Sequence, residues 1–192
     1  MMLLTLEGLP HSGRAAVLRI IHRVRPAWTM ISVAHHPSSP WHSLVRKVQA
    51  VSSHAAADIL VLNVPWFEHV PAHPAMARLQ HEMTRELVSV LGCHVDTHAM
   101  VHLRMPHDES FEQMVCSGNS WYNAVTLEDL RAEQVRIAQE MLDAPKHHPF
   151  QCQTFTLTCP PFFDDCEATL DKATQDVVRI VESLKDAAMD DA

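Results

Sequence analysis

The chain has 192 residues, with 15 Lys+Arg against 23 Asp+Glu and a formal net charge of −8. That balance excludes a general nucleic-acid binder, because no Lys/Arg stripe exists to release counterions from phosphates. A hydrophobic content of 47% with a mean hydropathy of −0.07 describes a globular chain with one sizeable core. No apolar run approaches the roughly 18 residues that span a bilayer, and five cysteines in no tight framework point to a reducing compartment, the cytosol.

Residues 1–6 (MMLLTL) form an apolar run long enough for one buried strand and too short for a signal peptide. The run breaks at Gly8-Leu9-Pro10-His11-Ser12-Gly13, and a helical pattern follows through Val17, Leu18, Ile20, Ile21 and Val24. With only 4 glycines in the chain, Gly8 and Gly13 mark a place where the backbone turns sharply. Strand, Gly-bounded loop and helix is the setting in which a phosphate-binding loop works, since loop N–H groups and the helix N-terminus favour an anion at one point. The spacing G-x-x-x-x-G is intact, but Arg14 and Ala15 follow where the motif wants Lys and Ser/Thr. The competing reading is an ordinary strand-to-helix turn.

Residues 29–34 (TMISVA) predict a second strand. Residues 41–51 predict a helix with apolar positions Trp41, Leu44, Val45 and Val48, capped by Ser38 or Ser39 ahead of Pro40. Residues 58–64 (DILVLNV) are nearly continuous aliphatic, as a strand covered on both faces would be. A long amphipathic pattern over 71–91, through Met76, Leu79, Met83, Leu87, Val88 and Leu91, stops at Gly92. Its stripe is core or dimer surface. Residues 99–105 (AMVHLRM) predict a fourth strand, and 108–115 a short helix with acids in its first turn. Residues 127–142 predict a helix, with Thr126 as N-cap and Asp129 completing a capping box, broken by the segment from Pro145 to Pro149. A fifth strand over 154–158 and a last helix over 166–188 complete the pattern, leaving 189–192 as a frayed tail.

Strands joined by helical crossovers predict one α/β domain over 1–188, three-layered, with a five-stranded parallel sheet and helices on both faces. Ligands of such sheets lie beyond the carboxyl ends of the strands, where the Gly8–Gly13 loop falls. The 15 histidines raise a zinc reading. Cys93, His94, His98 and His102 would line one face of a helix. They straddle a helix stop and a predicted strand, so no metal site is expected there. Cys152, Cys159 and Cys166 include no C-x-x-C pair.

Five further stretches fall in a consistent order. They are Leu6-Glu7-Gly8 followed by Ser12-Gly13-Arg14; Val33-Ala34-His35-His36-Pro37 with Trp41; Val101-His102-Leu103-Arg104 with Asp108-Glu109-Ser110-Phe111; Val125-Thr126-Leu127-Glu128-Asp129-Leu130; and Thr154-Phe155-Thr156-Leu157 with Asp164-Asp165. In that order they resemble the deoxynucleoside kinases, relatives of the thymidylate kinases among P-loop proteins. The matching motifs are E-G-x-x-G-S-G-K-S, V-x-P-E-P…W, Y-L-x-A-S-P-E-x-C-L-x-R, I-P-L-E-Y-L, and the closing strand with its acidic turn. The resemblance runs from Leu3 to about Leu184. It implies a P-loop nucleotide-binding fold and ATP- and Mg²⁺-dependent phosphorylation of a deoxynucleoside. It places Gly8, His11, Ser12, Gly13 and Arg14 on phosphate, His36 at the catalytic base with Arg14 assisting, and Trp41 at the wall of the nucleoside pocket. The plainer readings are a surface-loop histidine for His36 and a core position for Trp41.

Phosphoryl transfer rests on positioning and on neutralising charge around a metal-bound triphosphate. Arg14 keeps a positive charge, but its wide fork does not replace a compact ammonium. Neither Ala15 nor Ala16 offers Mg²⁺ a hydroxyl, and His11 adds a Cβ in the middle of the loop. The family's E-R-S becomes Asn63-Val64-Pro65. Its lid arginines fall on Gln113, Ser117 and Asn119, and its lid acids on Trp121 and Tyr122. The expectation is therefore a deoxynucleoside kinase-like pseudokinase with a degraded loop and lid, weak or no phosphotransfer, and action by binding or assembly. ATP and Mg²⁺ would be weakly held or lost, and whether the chain is an enzyme stays open.

The alternative is an active deoxynucleoside or thymidylate kinase with Arg14 on phosphate and His36 as base. A third reading is an interaction module with no nucleotide at all. The expected partners are a nucleotide or nucleoside and a second copy of the chain, without nucleic acid or membrane. A stripped-down member of this kind would suit a large DNA virus.

Overall fold

Strand β1 (Met2–Glu7) is buried along its whole length, as an apolar run covered on both faces should be. It lies at the centre of a five-stranded sheet ordered β2-β3-β1-β4-β5, with β2 (Thr29–Ile31), β3 (Ile59–Leu62), β4 (Thr97–Arg104) and β5 (Gln151–Thr158). Every pairing is parallel. Leu3 stands opposite Leu60 on one side and His98 on the other. The computed structural model describes residues 1–33, 40–63, 86–87, 89–118, 125–148, 150–158 and 166–190.

Alternation along the strands builds two cores. On one face α1 (Arg14–Val24) and α5 (Cys166–Asp190) pack Val17, Leu18, Ile21, Val177 and Val181 against Leu4, Leu6, Val61 and Val101. On the other, α2 (Pro40–Ser53), α3 (His107–Cys116) and α4 (Leu127–His147) set Leu44, Val48, Val51, Met114, Ile137 and Met141 against Leu3, Leu60, Leu62 and Met100. Each fully buried side chain of this size contributes about 1.5–3 kcal/mol, so both helical layers hold β1 in place. The result is the three-layer α/β fold expected from the alternation of elements. Among the described residues no helix is long and apolar enough to cross a membrane.

Several boundaries differ from those read off the sequence. Strand β4 begins at Thr97 and β5 at Gln151, both earlier than the apolar pattern suggests. Thr97 pairs with both Met2 and Gln151, so backbone pairing continues where the side chains are polar. Strand β2 pairs with β3 only as far as Ile31, and residues 34–39, including Ser38 and Ser39, lie outside the described residues. So do residues 71–85 of the long amphipathic pattern.

Helix α4 does not break ahead of Pro145 but carries it inside and ends at His147. Met141 and Ala144 are buried in the core, and that packing outweighs the ~3 kcal/mol a helix-interior proline costs. At its other end the capping box forms as expected: the Asp129 N–H donates to Thr126 Oγ1 at 3.2 Å and the Thr126 N–H to Asp129 Oδ2 at 2.8 Å. Helix α5 continues to Asp190.

Candidate phosphate-loop site

The chain leaves β1 at Glu7 and turns at once. Gly8 has φ +155°, and a Cβ there would lie 2.5 Å from Ser12 Oγ and 2.8 Å from the Leu103 carbonyl oxygen. Strand β4 thus passes too close for any side chain. The Ser12 N–H donates to the Leu9 carbonyl at 3.2 Å, closing the turn. His11 has φ 60°, and Gly13, at φ 78°, is the left-handed N-cap of α1. Gly13 brings no side-chain cap, so the helix opens on backbone alone, the arrangement in which first-turn N–H groups take an outside acceptor. The hydroxyl of Ser110, a buried residue of α3, donates to the Pro10 carbonyl at 2.7 Å and ties the loop to the sheet's other face. Ser12 is itself buried, and its Oγ has no hydrogen-bond partner among the described residues.

Charged groups gather just behind this turn. Glu7 is only 1% exposed and stands in register with His102 of β4. Burial, and then the positive charge of Arg104, lower the His102 pKa below the ordinary imidazole value. Arg136 reaches in from α4, its Nε donating to Glu133 Oε2 at 2.8 Å. Burial works against its charge. The Glu133 hydrogen bond and the charges of Glu133, Glu140 and Glu7 outweigh that and raise its pKa. The buried acid at the carboxyl end of the central strand is therefore within electrostatic reach of Arg136.

The structure brings Gly8, His11, Ser12, Gly13 and Arg14 together as one loop and the first residue of α1. His36 and the side chain of Trp41 lie outside the described residues, as do Val64, Pro65, Asn119, Trp121 and Tyr122. Asn63 follows β3, with its Nδ2 donating to Ser32 Oγ at 3.0 Å. Gln113 stands in the last turns of α3 and Ser117 at its C-cap. The Ser117 hydroxyl donates to the Met114 carbonyl at 2.7 Å. His98 and His102 lie along β4, not on a helix face.

Sequence reasoning missed Arg136 and Lys47. Arg136 has acids three residues before and four after it, which reads equally as a solvated helix face. Lys47 is fully buried, and its signal was its place within the stripe Leu44, Val48 and Val51.

The Gly8–Gly13 loop leads from a strand into a helix N-terminus that has no side-chain cap, a setting that fits a phosphate. Magnesium does not fit in the same way. The first turn of α1 presents Arg14, Ala15 and Ala16, which offer no oxygen ligand, and the Ser12 hydroxyl is buried inside the turn.

No protein-family model and no curated protein sequence matches the chain. Solved structures do match in fold: the chain has a deoxynucleoside kinase-like α/β fold. Deoxyadenosine kinase from M. mycoides with bound dATP superposes with a TM-score of 0.60 at 10% identity, covering 90% of this chain and 99% of that one. The same kinase with bound dCTP gives 0.57 at 9% identity, covering 93% and 100%. The YorR protein of Bacillus subtilis, in complex with phosphorylated GDP, gives 0.55 at 12% identity, covering 94% and 95%.

Proposed function

We propose that the chain binds a nucleotide or nucleoside at the Gly8–Gly13 loop and transfers phosphate weakly or not at all. One observation carries the reading. A Gly-bounded turn, with Gly8 at φ +155° and Gly13 at φ 78°, leads from β1 into an uncapped helix N-terminus, while Arg14, Ala15 and Ala16 follow it. Backbone N–H groups suffice to hold a phosphate, whereas transfer needs cations and a metal ligand around the moving group. The solved neighbours are nucleotide complexes, which favours ATP or a deoxynucleotide as occupant. A homodimer through α3 and α4 is supported by the exposed apolar side chains Val115, Val135 and Leu142. The free thiols of Cys93, Cys116 and Cys152 favour the cytosol.

The test is a melting scan with ATP, dATP and deoxynucleosides, run beside a turnover assay. A ligand of the folded state raises Tm, and the reading expects a shift without turnover. Turnover above about 0.1 s⁻¹, against roughly 1–100 s⁻¹ for working kinases, would refute the inactive part. No shift with any of these ligands would refute nucleotide binding and leave an interaction module. Arg14→Lys with Ala15→Ser should tighten ATP–Mg²⁺ binding if those two positions are what was lost.

A further inference from the structure

At the opposite end of the sheet from the loop, three side chains converge that the phosphate site does not use. His98 lies on β4 and Cys152 on β5, directly in register, and His148 is the C-cap of α4. One ligand atom from each lies within 4.8 Å of the other two. We propose that His98, His148 and Cys152 form a metal site for Zn²⁺, which pins the end of α4 to the two strands.

The chemistry suits the ion. Two imidazoles and a thiolate are borderline-to-soft ligands of the kind zinc takes, at about 2.0–2.1 Å for nitrogen and 2.3 Å for sulfur. Tetrahedral ligands at those lengths stand roughly 3.3–3.7 Å apart, so a small inward rotation of half-buried His148 closes the set. Solvent would complete the four-coordinate set. His98 is oriented from behind: its Nε2 and Thr5 Oγ1 are 2.9 Å apart and buried. With Nε2–H donating to the hydroxyl, Nδ1 becomes the ligating nitrogen, the outer-sphere arrangement that fixes tautomer and ring in metal sites. Phe150 walls the cluster, with its ring centroid 4.8 Å from that of His148 and 5.9 Å from that of His98.

Burial favours the ligating form of the histidine and opposes that of the cysteine. Burial, then the charge of His148, hold the His98 pKa well below the ordinary value, so the ring is neutral. Burial pushes the Cys152 thiol up to about 12, so binding must release its proton as the Zn–S bond forms. Leu3, opposite His98, and Glu7, at the loop, are four strand residues apart, roughly 13 Å. The ion would therefore act on stability without touching a nucleotide.

Chelator-stripped protein titrated with Zn²⁺ should take up one equivalent and gain roughly 5–10 °C in Tm at free Zn²⁺ hundredfold above its Kd. Co²⁺ in its place should give the near-ultraviolet thiolate-to-cobalt band. That band should vanish in Cys152→Ser and survive in Cys93→Ser/Cys116→Ser, whose thiols are exposed. Should Cys152→Ser fail to fold, His148→Gln decides, with Zn²⁺ affinity expected to fall at least tenfold. Cobalt binding without the band, a band that persists in Cys152→Ser, or unchanged affinity in His148→Gln overturns the site.

Discussion

Replacing Gly8 with alanine tests the geometry on which the phosphate loop depends. The new Cβ would sit 2.5 Å from Ser12 Oγ and 2.8 Å from the Leu103 carbonyl oxygen. The serine can rotate, but the carbonyl belongs to a strand paired on both sides and cannot move without cost. Holding an L residue near φ +155° adds about 1–3 kcal/mol of strain. Crowding a packed backbone adds about 1–3 kcal/mol more. The expected loss is therefore about 2–6 kcal/mol, or roughly 4–24 °C in Tm for a chain of this length.

Two controls separate the causes. Gly118→Ala, at φ +63° with nothing within 4 Å of its Cβ, should lose only about 1–2 kcal/mol, the cost of the left-handed conformation alone. Adding Ser12→Gly to Gly8→Ala should return the part due to the serine and leave the part due to Leu103. Differential scanning calorimetry of the four proteins decides the matter. If Gly8→Ala melts no lower than Gly118→Ala, the turn is not seated on β4, and the cradle inferred from it is lost.

Ser110→Ala removes the 2.7 Å bond to the Pro10 carbonyl. It should cost about 1–3 kcal/mol and raise amide exchange in residues 9–13 more than in α1, which hydrogen-exchange mass spectrometry would register. Thr126→Ala should cost about 0.5–2 kcal/mol through the lost capping box while leaving any nucleotide-induced Tm shift unchanged. In metal-free protein His98 and His102 both have folded pKa values below the ordinary 6.5. The unfolded chain then binds more protons in acid. Their contribution is complete above pH 6.5 and is lost as pH falls from there through the folded values. Denaturant midpoints should fall between about pH 7.5 and 5.5, less steeply in His102→Gln; a midpoint that rises on acidification contradicts the assignment.

Much of this protein could be read without coordinates. Buried parallel strands must be aliphatic on both faces, so residues 1–6 and 58–64 announced β1 and β3. A capping box is local chemistry, so Thr126 and Asp129 marked the start of α4 by themselves. The order of strands and helices, with a Gly-bounded turn after the first strand, was enough to place that turn at the carboxyl end of the sheet.

What depends on distant neighbours could not be read this way. Strand ends at Thr97 and Gln151 are set by backbone pairing, which polar side chains do not advertise. Pro145 stays helical because the residues before it are packed against the sheet. Arg136 beside Glu7, and His98 beside His148 and Cys152, are far apart in the chain. Only the parallel register and the return of α4 across the sheet bring them together. A sequence displays local propensity and periodicity, whereas a site is made of long-range contacts, and these exist only once the layers have closed.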